Sequence, residues 1–196
     1  MHWCEYRMRI PFSLLIPGLL AAFLAGVVFS TSGLSPTGLA LFSSSSSNPI
    51  PLNNAQAAFC PSLQCVSLVV SALDAAQERV DIAMYSFTND EMGQALIRAK
   101  ERGVEIRVLL EKQQSTSQYS ELTPLTNASI PVRVDSNPQL MHHKFAVIDS
   151  QYVITGSMNW TANGVKENNE NVLVIHSQEL NVEFEKEFEK LWDEGV

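Results

Sequence analysis

Between Met141 and Asn171 the chain reads MHHKFAVIDSQYVITGSMNWTANGVKENNEN, and its candidate chemistry is concentrated there. Read as a strand, this run puts His142 and Lys144 on one face and His143 and Phe145 on the other, because side chains alternate with period two. A histidine beside a fixed ammonium suits work on an anionic phosphate. The imidazole supplies a nucleophile or acid near neutral pH, its reference pKa being about 6.5, and the lysine holds non-bridging oxygens. Further on, Ser157 and Asn159 are also two apart and can face one site as donors to phosphate, while Gly156 lets the backbone turn close by. In this strand reading Asp149 falls on the face opposite Lys144. Glu170 begins the last strand and could orient a histidine through its ring nitrogen.

These residues need a scaffold, and the hydrophobic pattern supplies one. Apolar residues at helical spacing predict a helix over 62–78. A strand follows at 80–87, then a helix from Asn89 through Arg102 that Gly103 ends. Strands are expected at 104–110, 130–135, 143–149, 152–157 and 171–176, and a closing helix at 178–192. The polar stretch 113–128 has room for a short helix near 117–123, and residues 112–128 are the expected substrate-selecting loop. Strands alternating with helices imply an α/β fold, a mixed sheet with helices on both faces. His143, His176 and Trp160 are expected to pack or bond locally.

The remainder of the chain is different in kind. No Asp, Glu, Lys or Arg occurs from Ile10 through Leu73. Arg7 and Arg9 precede the apolar run IPFSLLIPGLLAAFLAGVVFS. That run is long enough to cross a bilayer, and the positive charge before it predicts that the rest of the chain lies outside the cytoplasm. Two readings stay open: a signal peptide cleaved at Ala55-Gln56-Ala57, or an uncleaved membrane anchor. The expected organisation is a signal or anchor at 1–30, a Ser/Pro/Asn-rich linker at 31–58 and a catalytic domain at 59–196. The domain would then be membrane-anchored facing outward, or secreted or periplasmic. Cys60 and Cys65 are candidates for a short loop disulfide in such a compartment, with unpaired thiols the alternative. A net charge of −8 and a pI near 4.9 argue against a dedicated duplex-DNA binder. A hydrophobic content of 45% with 17% charged residues excludes a disordered chain.

The pattern His142-x-Lys144-x4-Asp149-x6-Gly156-Ser157-x-Asn159 resembles the HKD signature of the phospholipase D superfamily. The stretch DIAMYSFTNDEMGQALIRAKERGVEIRVLLE is similar to the first strand–helix–strand unit of its small single-motif members, and Glu170-Asn171 to their acidic position after the motif. These members include a bacterial endonuclease and mitochondrial cardiolipin hydrolase or Zucchini-type proteins. The resemblance implies a phosphohistidine intermediate, no metal or other cofactor, and two HKD histidines per site. One copy of the motif therefore implies a homodimer with a composite site. His142 of one subunit would be the nucleophile and His142 of the other the general acid. Lys144 and Asn159 from both subunits would bind phosphate with Ser157 assisting, Asp149 would support the site by orienting neighbours, and Glu170 would fix the histidine tautomer. The expected substrate is a phospholipid headgroup ester, with DNA or RNA as the alternative.

Overall fold

The computed structural model describes residues 54–196, so the expected anchor at 1–30 and most of the expected linker lie outside the described residues. Seven strands form one sheet in the order β1-β7-β6-β5-β2-β3-β4. They are β1 (Ala55–Cys60), β2 (Arg79–Met84), β3 (Glu105–Leu110), β4 (Val132–Val134), β5 (Lys144–Ile148), β6 (Tyr152–Gly156) and β7 (Glu170–His176). The β2–β3 and β3–β4 pairs are parallel and the other four antiparallel. The sheet is therefore mixed, as the alternation of elements predicts.

Two of the main helices join the parallel strands or precede them. Helix α1 (Leu63–Ala75) is capped by Ser62, whose hydroxyl accepts from the amide of Gln64. Helix α2 (Asp90–Glu101) is capped by Asn89, carries Asp90 and Glu91 in its first turn, and ends before Gly103 at φ 95°. Alternate strand residues such as Val80, Ile82, Met84, Ile106 and Val108 form a large core with these helices. On the other face Ala83, Leu109 and Phe145 pack against Phe188 and Leu191 of the last helix. The sheet is thus covered on both faces. That last helix is held by charge as well as by packing. Buried Asp81 accepts two bonds from Arg107, at 2.7 and 2.9 Å, and Arg107 in turn donates to Glu189. An arginine fork between two carboxylates satisfies the buried charge, which would be costly alone.

The remaining short helices are α3 (Lys112–Ser115), α4 (Leu122–Asn127) and α5 (Ala162–Lys166), with the closing helix α6 at Gln178–Glu194. The stretch expected to hold one short helix near 117–123 holds two, one before that span and one overlapping its end. Helix α5 and strand β1 are additions to the expected elements. Residues 55–58 are not linker: β1 pairs along its whole length with β7, Ala55 opposite Ile175 and Cys60 opposite Glu170. The candidate cleavage triplet Ala55-Gln56-Ala57 therefore lies inside a paired strand. Strand β1 escapes a reading by propensity because alanine and glutamine carry little strand signal. Among the described residues no helix is long and apolar enough to cross a membrane.

Candidate active site

The pairing registers bring the ends of six strands to one edge of the sheet. Met84 at the end of β2 pairs with Lys144 at the start of β5, and Leu110 ends β3 beside Met84. Gly156 ends β6 opposite Val172, and Cys60 ends β1 opposite Glu170 at the start of β7. His142, Lys144, Gly156, Ser157 and Glu170 consequently share this edge.

His142 is exposed and sits just before β5. Its ring meets that of Tyr85 edge-on, with centroids 4.7 Å apart and planes at 64°. The ammonium of Lys144 lies 4.9 Å from the centre of the same tyrosine ring and donates to the carbonyl of His142 at 3.0 Å. Tyr85 is tied in at both ends. Its amide donates to the carbonyl of His143 at 2.8 Å, and the side-chain amide of Gln114 donates to its hydroxyl at 3.3 Å. Burial lowers the pKa of Lys144, and the nearby charge of Glu170 opposes that shift. The face assignment from period two holds on the opposite side as well. His143 lies 3.5 Å from Glu187 of α6 and packs its ring on Phe145.

Gly156 has φ 148°, and a Cβ there would run into the backbone carbonyl of Asn171. Only glycine lets β6 turn into the 157–159 segment at this spacing from β7. Ser157 follows, with its hydroxyl donating to Glu170 and accepting from the amide of Asn171 at 3.1 Å. The second oxygen of Glu170 accepts from the side chain of Asn168 at 3.1 Å. This corrects two expectations. Glu170 holds Ser157 and Asn168 rather than the ring of His142, and the hydroxyl proton of Ser157 is directed at a carboxylate rather than left free for a phosphate. Asn159 is half-buried, and its side-chain oxygen is buried with no hydrogen-bond partner among the described residues.

Asp149 is not in the site. It lies at the far end of β5, with Ser150, in a two-residue turn where both have φ above 50°. That conformation suits Asp better than most residues, and such turns match the twist of a hairpin. Its carboxylate accepts from three consecutive amides, those of Gln77, Glu78 and Arg79, at 2.8 to 2.9 Å. Asp149 therefore fastens the α1–β2 connection to the β5–β6 hairpin. A supporting role is right in kind, but its neighbours are a remote turn, not the catalytic groups.

Behind the site Cys60 and Cys65 form a disulfide, Cα atoms 6.0 Å apart, so the paired reading of the two cysteines holds. The sulfur of Cys60 lies 3.4 Å from that of Met158, between Ser157 and Asn159. Trp160 is buried edge-on against Phe87 at 5.1 Å, a core residue as expected. Beside the histidine runs a polar groove of about 1260 Å³, with Tyr85, Gln114, Tyr119, Glu121 and Asn159 among its walls. The loop at 113–121 forms much of one side, where the sequence places substrate selection. The groove lining contains Asp90 and Glu121 but neither lysine nor arginine. Tyr85, Gln114 and Asn168 are not legible as site residues in the sequence. A tyrosine at the end of a strand reads as core, and only its contact with His142 reveals the role.

An exposed imidazole next to a partly desolvated ammonium can carry out nucleophilic attack at phosphorus and stabilise the charge that develops. Comparison with known proteins places this constellation. Residues 69–192 match the family model described as cardiolipin synthase, PLD-like domain. The mitochondrial cardiolipin hydrolase of Homo sapiens is 36% identical over 129 residues, covering 66% of this chain and 51% of that protein. A phospholipase D of Rickettsia conorii is 38% identical over 122 residues, 62% of this chain and 61% of that one. The chain thus spans about half to three-fifths of the length of these two relatives. The crystal structure of the phospholipase D family member NUC from Salmonella typhimurium superposes with a TM-score of 0.68 at 31% identity, over 72% of this chain and 95% of that one. NucT from Helicobacter pylori shares the fold, with a TM-score of 0.66. With His142, Lys144 and Ser157 of its HKD pattern gathered on one sheet edge and the family model covering most of the domain, the chain belongs to the phospholipase D superfamily.

Proposed function

We propose that this protein is a phosphodiesterase that releases headgroups from phospholipids through a phosphohistidine intermediate. The observation that carries the reading is the exposed His142 ring standing on Tyr85 with the Lys144 ammonium on the same tyrosine. An imidazole nitrogen of His142 attacks phosphorus and the bond from phosphorus to the headgroup oxygen breaks. The departing oxygen takes a proton from a second histidine. Water, deprotonated by that second histidine, then attacks the phosphohistidine and frees phosphatidic acid and His142. Covalent and acid–base catalysis are combined, the proton transfer contributing roughly 10²–10⁴ in rate.

The chain has one HKD motif, so the second histidine is that of another copy, and the working unit is a homodimer with a composite site on its two-fold axis. The apolar run near the N-terminus anchors or exports the domain to the outer side of a membrane, which raises the local concentration of a lipid substrate. Lipid is favoured over nucleic acid by the groove, which is lined by no lysine or arginine to meet a polyanion. Phosphate contacts by Lys and Arg supply most of nucleic-acid affinity. The runner-up, an endonuclease on DNA or RNA, rests on the likeness to the small single-motif nucleases.

The test is incubation of the full chain in EDTA with phosphatidylcholine vesicles and, separately, with single-stranded and duplex DNA and RNA, beside His142→Ala. Headgroup release lost in the variant supports the lipase. Strand cleavage lost in the variant replaces it with the nuclease, and activity surviving in His142→Ala removes the mechanism.

A further inference from the structure

The turn that carries Ser157 and Asn159 is held from behind. Gly156 takes the chain out of β6, and the amide of Met158 donates to the carbonyl of Asn171 at 3.2 Å. Met158 itself is buried in the large core, between the two polar residues. The seat of this one side chain therefore helps to set where the turn stands. A methionine is unbranched, with three rotatable bonds, and takes its shape from the wall it meets. Here the wall includes the sulfur of Cys60, 3.4 Å from that of Met158.

Cys60 alone would be a poor wall. It is the last residue of β1, an edge strand paired only with β7, and such strand ends fray readily. The disulfide ties it to Cys65 in the first turn of α1, a helix that buries Val66, Val69 and Leu73 in the same core. Cys60 also reaches the site by a second route. It stands opposite Glu170, whose carboxylate holds Ser157 and Asn168.

We infer that Cys60 and Cys65 are positioning residues for phosphodiester cleavage. Their bridge fixes Met158 and Glu170, and through them Ser157 and Asn159, so the site reaches full activity only when the bridge is closed. Closing it passes two electrons and two protons from the two thiols to a disulfide oxidant, which leaves as two thiols. The chain is then a weak enzyme where thiols stay reduced and gains activity in an oxidising compartment. Cys60 and Cys65 are 6% and 0% exposed, so the closed bridge is shielded from reductants while the chain is folded. The inference rests on the phosphodiesterase reading above but not on the choice of lipid over nucleic acid.

The test uses the full chain, prepared with its thiols reduced and then oxidised with glutathione disulfide, beside Cys60→Ala/Cys65→Ala, Met158→Ala and the variant combining all three changes. Turnover of bis-para-nitrophenyl phosphate, a phosphodiester that is neither lipid nor nucleic acid, is measured. Hydrogen exchange is followed at 157–160, with β3 as the monitor of the fold. Expected are a rise in kcat of about tenfold or more on oxidation, absent from the cysteine variant, and slower exchange at 157–160 in the oxidised chain with β3 unchanged. The combined variant should be no slower than the cysteine variant, as for groups acting along one path. Equal kcat before and after oxidation, exchange at 157–160 that ignores the bridge, or additive losses would each overturn the positioning role. Exchange of β3 that rises with that of 157–160 would overturn it too, because it marks general destabilisation. A parent chain that leaves the phosphodiester intact in both states would remove the phosphodiesterase reading instead, and the exchange result would still decide whether the bridge fixes the turn.

Discussion

The ring of Tyr85 supports the ring of His142 edge-on at 4.7 Å and carries the ammonium of Lys144 on its face at 4.9 Å. One aromatic side chain thereby sets the separation of the imidazole and the ammonium, the proposed nucleophile and phosphate-binding cation. The contacts belong to the ring, and the hydroxyl only receives Gln114. Tyr85→Phe should therefore keep most of the activity, whereas Tyr85→Leu should lower kcat by about tenfold or more, as expected for a misplaced reacting group, with KM nearly unchanged. Steady-state kinetics of the two variants check this. Equal loss in both would shift the role to the hydroxyl.

Asp149 belongs to the HKD signature by spacing yet holds a turn. Removing its carboxylate leaves three amides without their acceptor, at a cost of roughly 2–4 kcal/mol in stability by the usual magnitudes for such groups. Asp149→Ala should lower the melting temperature markedly while the folded fraction, assayed well below that temperature, turns over at nearly the parent kcat. A collapse of kcat in protein shown to be folded would return Asp149 to the site.

Gly156→Ala places a methyl group against the carbonyl of Asn171 at a backbone angle that L-residues avoid. The expected cost is about 1–3 kcal/mol for the strain, with the Ser157–Glu170 contact displaced. Thermal unfolding and activity should fall together, since the glycine holds the turn that carries Ser157 and Asn159 beside the site.

Glu121 gives the chain a pH dependence of known sign. Burial, with the charge of Asp90 adding to it, raises this carboxyl from 4.5 to about 7. The folded chain then holds the proton more tightly than the unfolded chain does. The associated stability is complete below about pH 4.5 and is lost as pH rises towards 7. Glu185, also raised to about 7 by burial and by Asp81, acts in the same window. Glu121→Gln should match the parent near pH 4.5 and exceed it at pH 8 by roughly 3 kcal/mol, given 1.36 kcal/mol per pKa unit. Denaturant titrations at the two pH values decide it, and a variant less stable at pH 8 would contradict the assignment.

What can be read from the sequence divides along physical lines. Strong periodicity and caps make α1, α2 and α6 legible, and β-branched runs make the six strands from β2 to β7 legible. The resemblance to the HKD signature singles out His142, Lys144, Gly156 and Ser157, and period two and a glycine requirement, which are local properties, account for their sharing one sheet edge. Three kinds of information are not local. The partner of Glu170 depends on β7 lying against the turn after β6, so the sequence suggests a histidine where Ser157 and Asn168 stand. The role of Asp149 depends on contacts some seventy residues away in the chain. The place of Tyr85 emerges only once β2 and β5 are paired. Strand β1 is lost to tertiary context, since Ala55-Gln56-Ala57-Ala58 becomes a strand by pairing with β7 rather than by propensity.

The central claim is that His142 forms a covalent bond to phosphorus. The most direct measurement is the intact mass, with peptide mapping, of the full chain denatured in alkali during turnover of phosphatidylcholine, conditions chosen to preserve a phosphorus–nitrogen bond. The account predicts a phosphatidyl adduct on the peptide bearing His142, absent from His142→Ala. Turnover with no adduct, or an adduct on another residue, would contradict it.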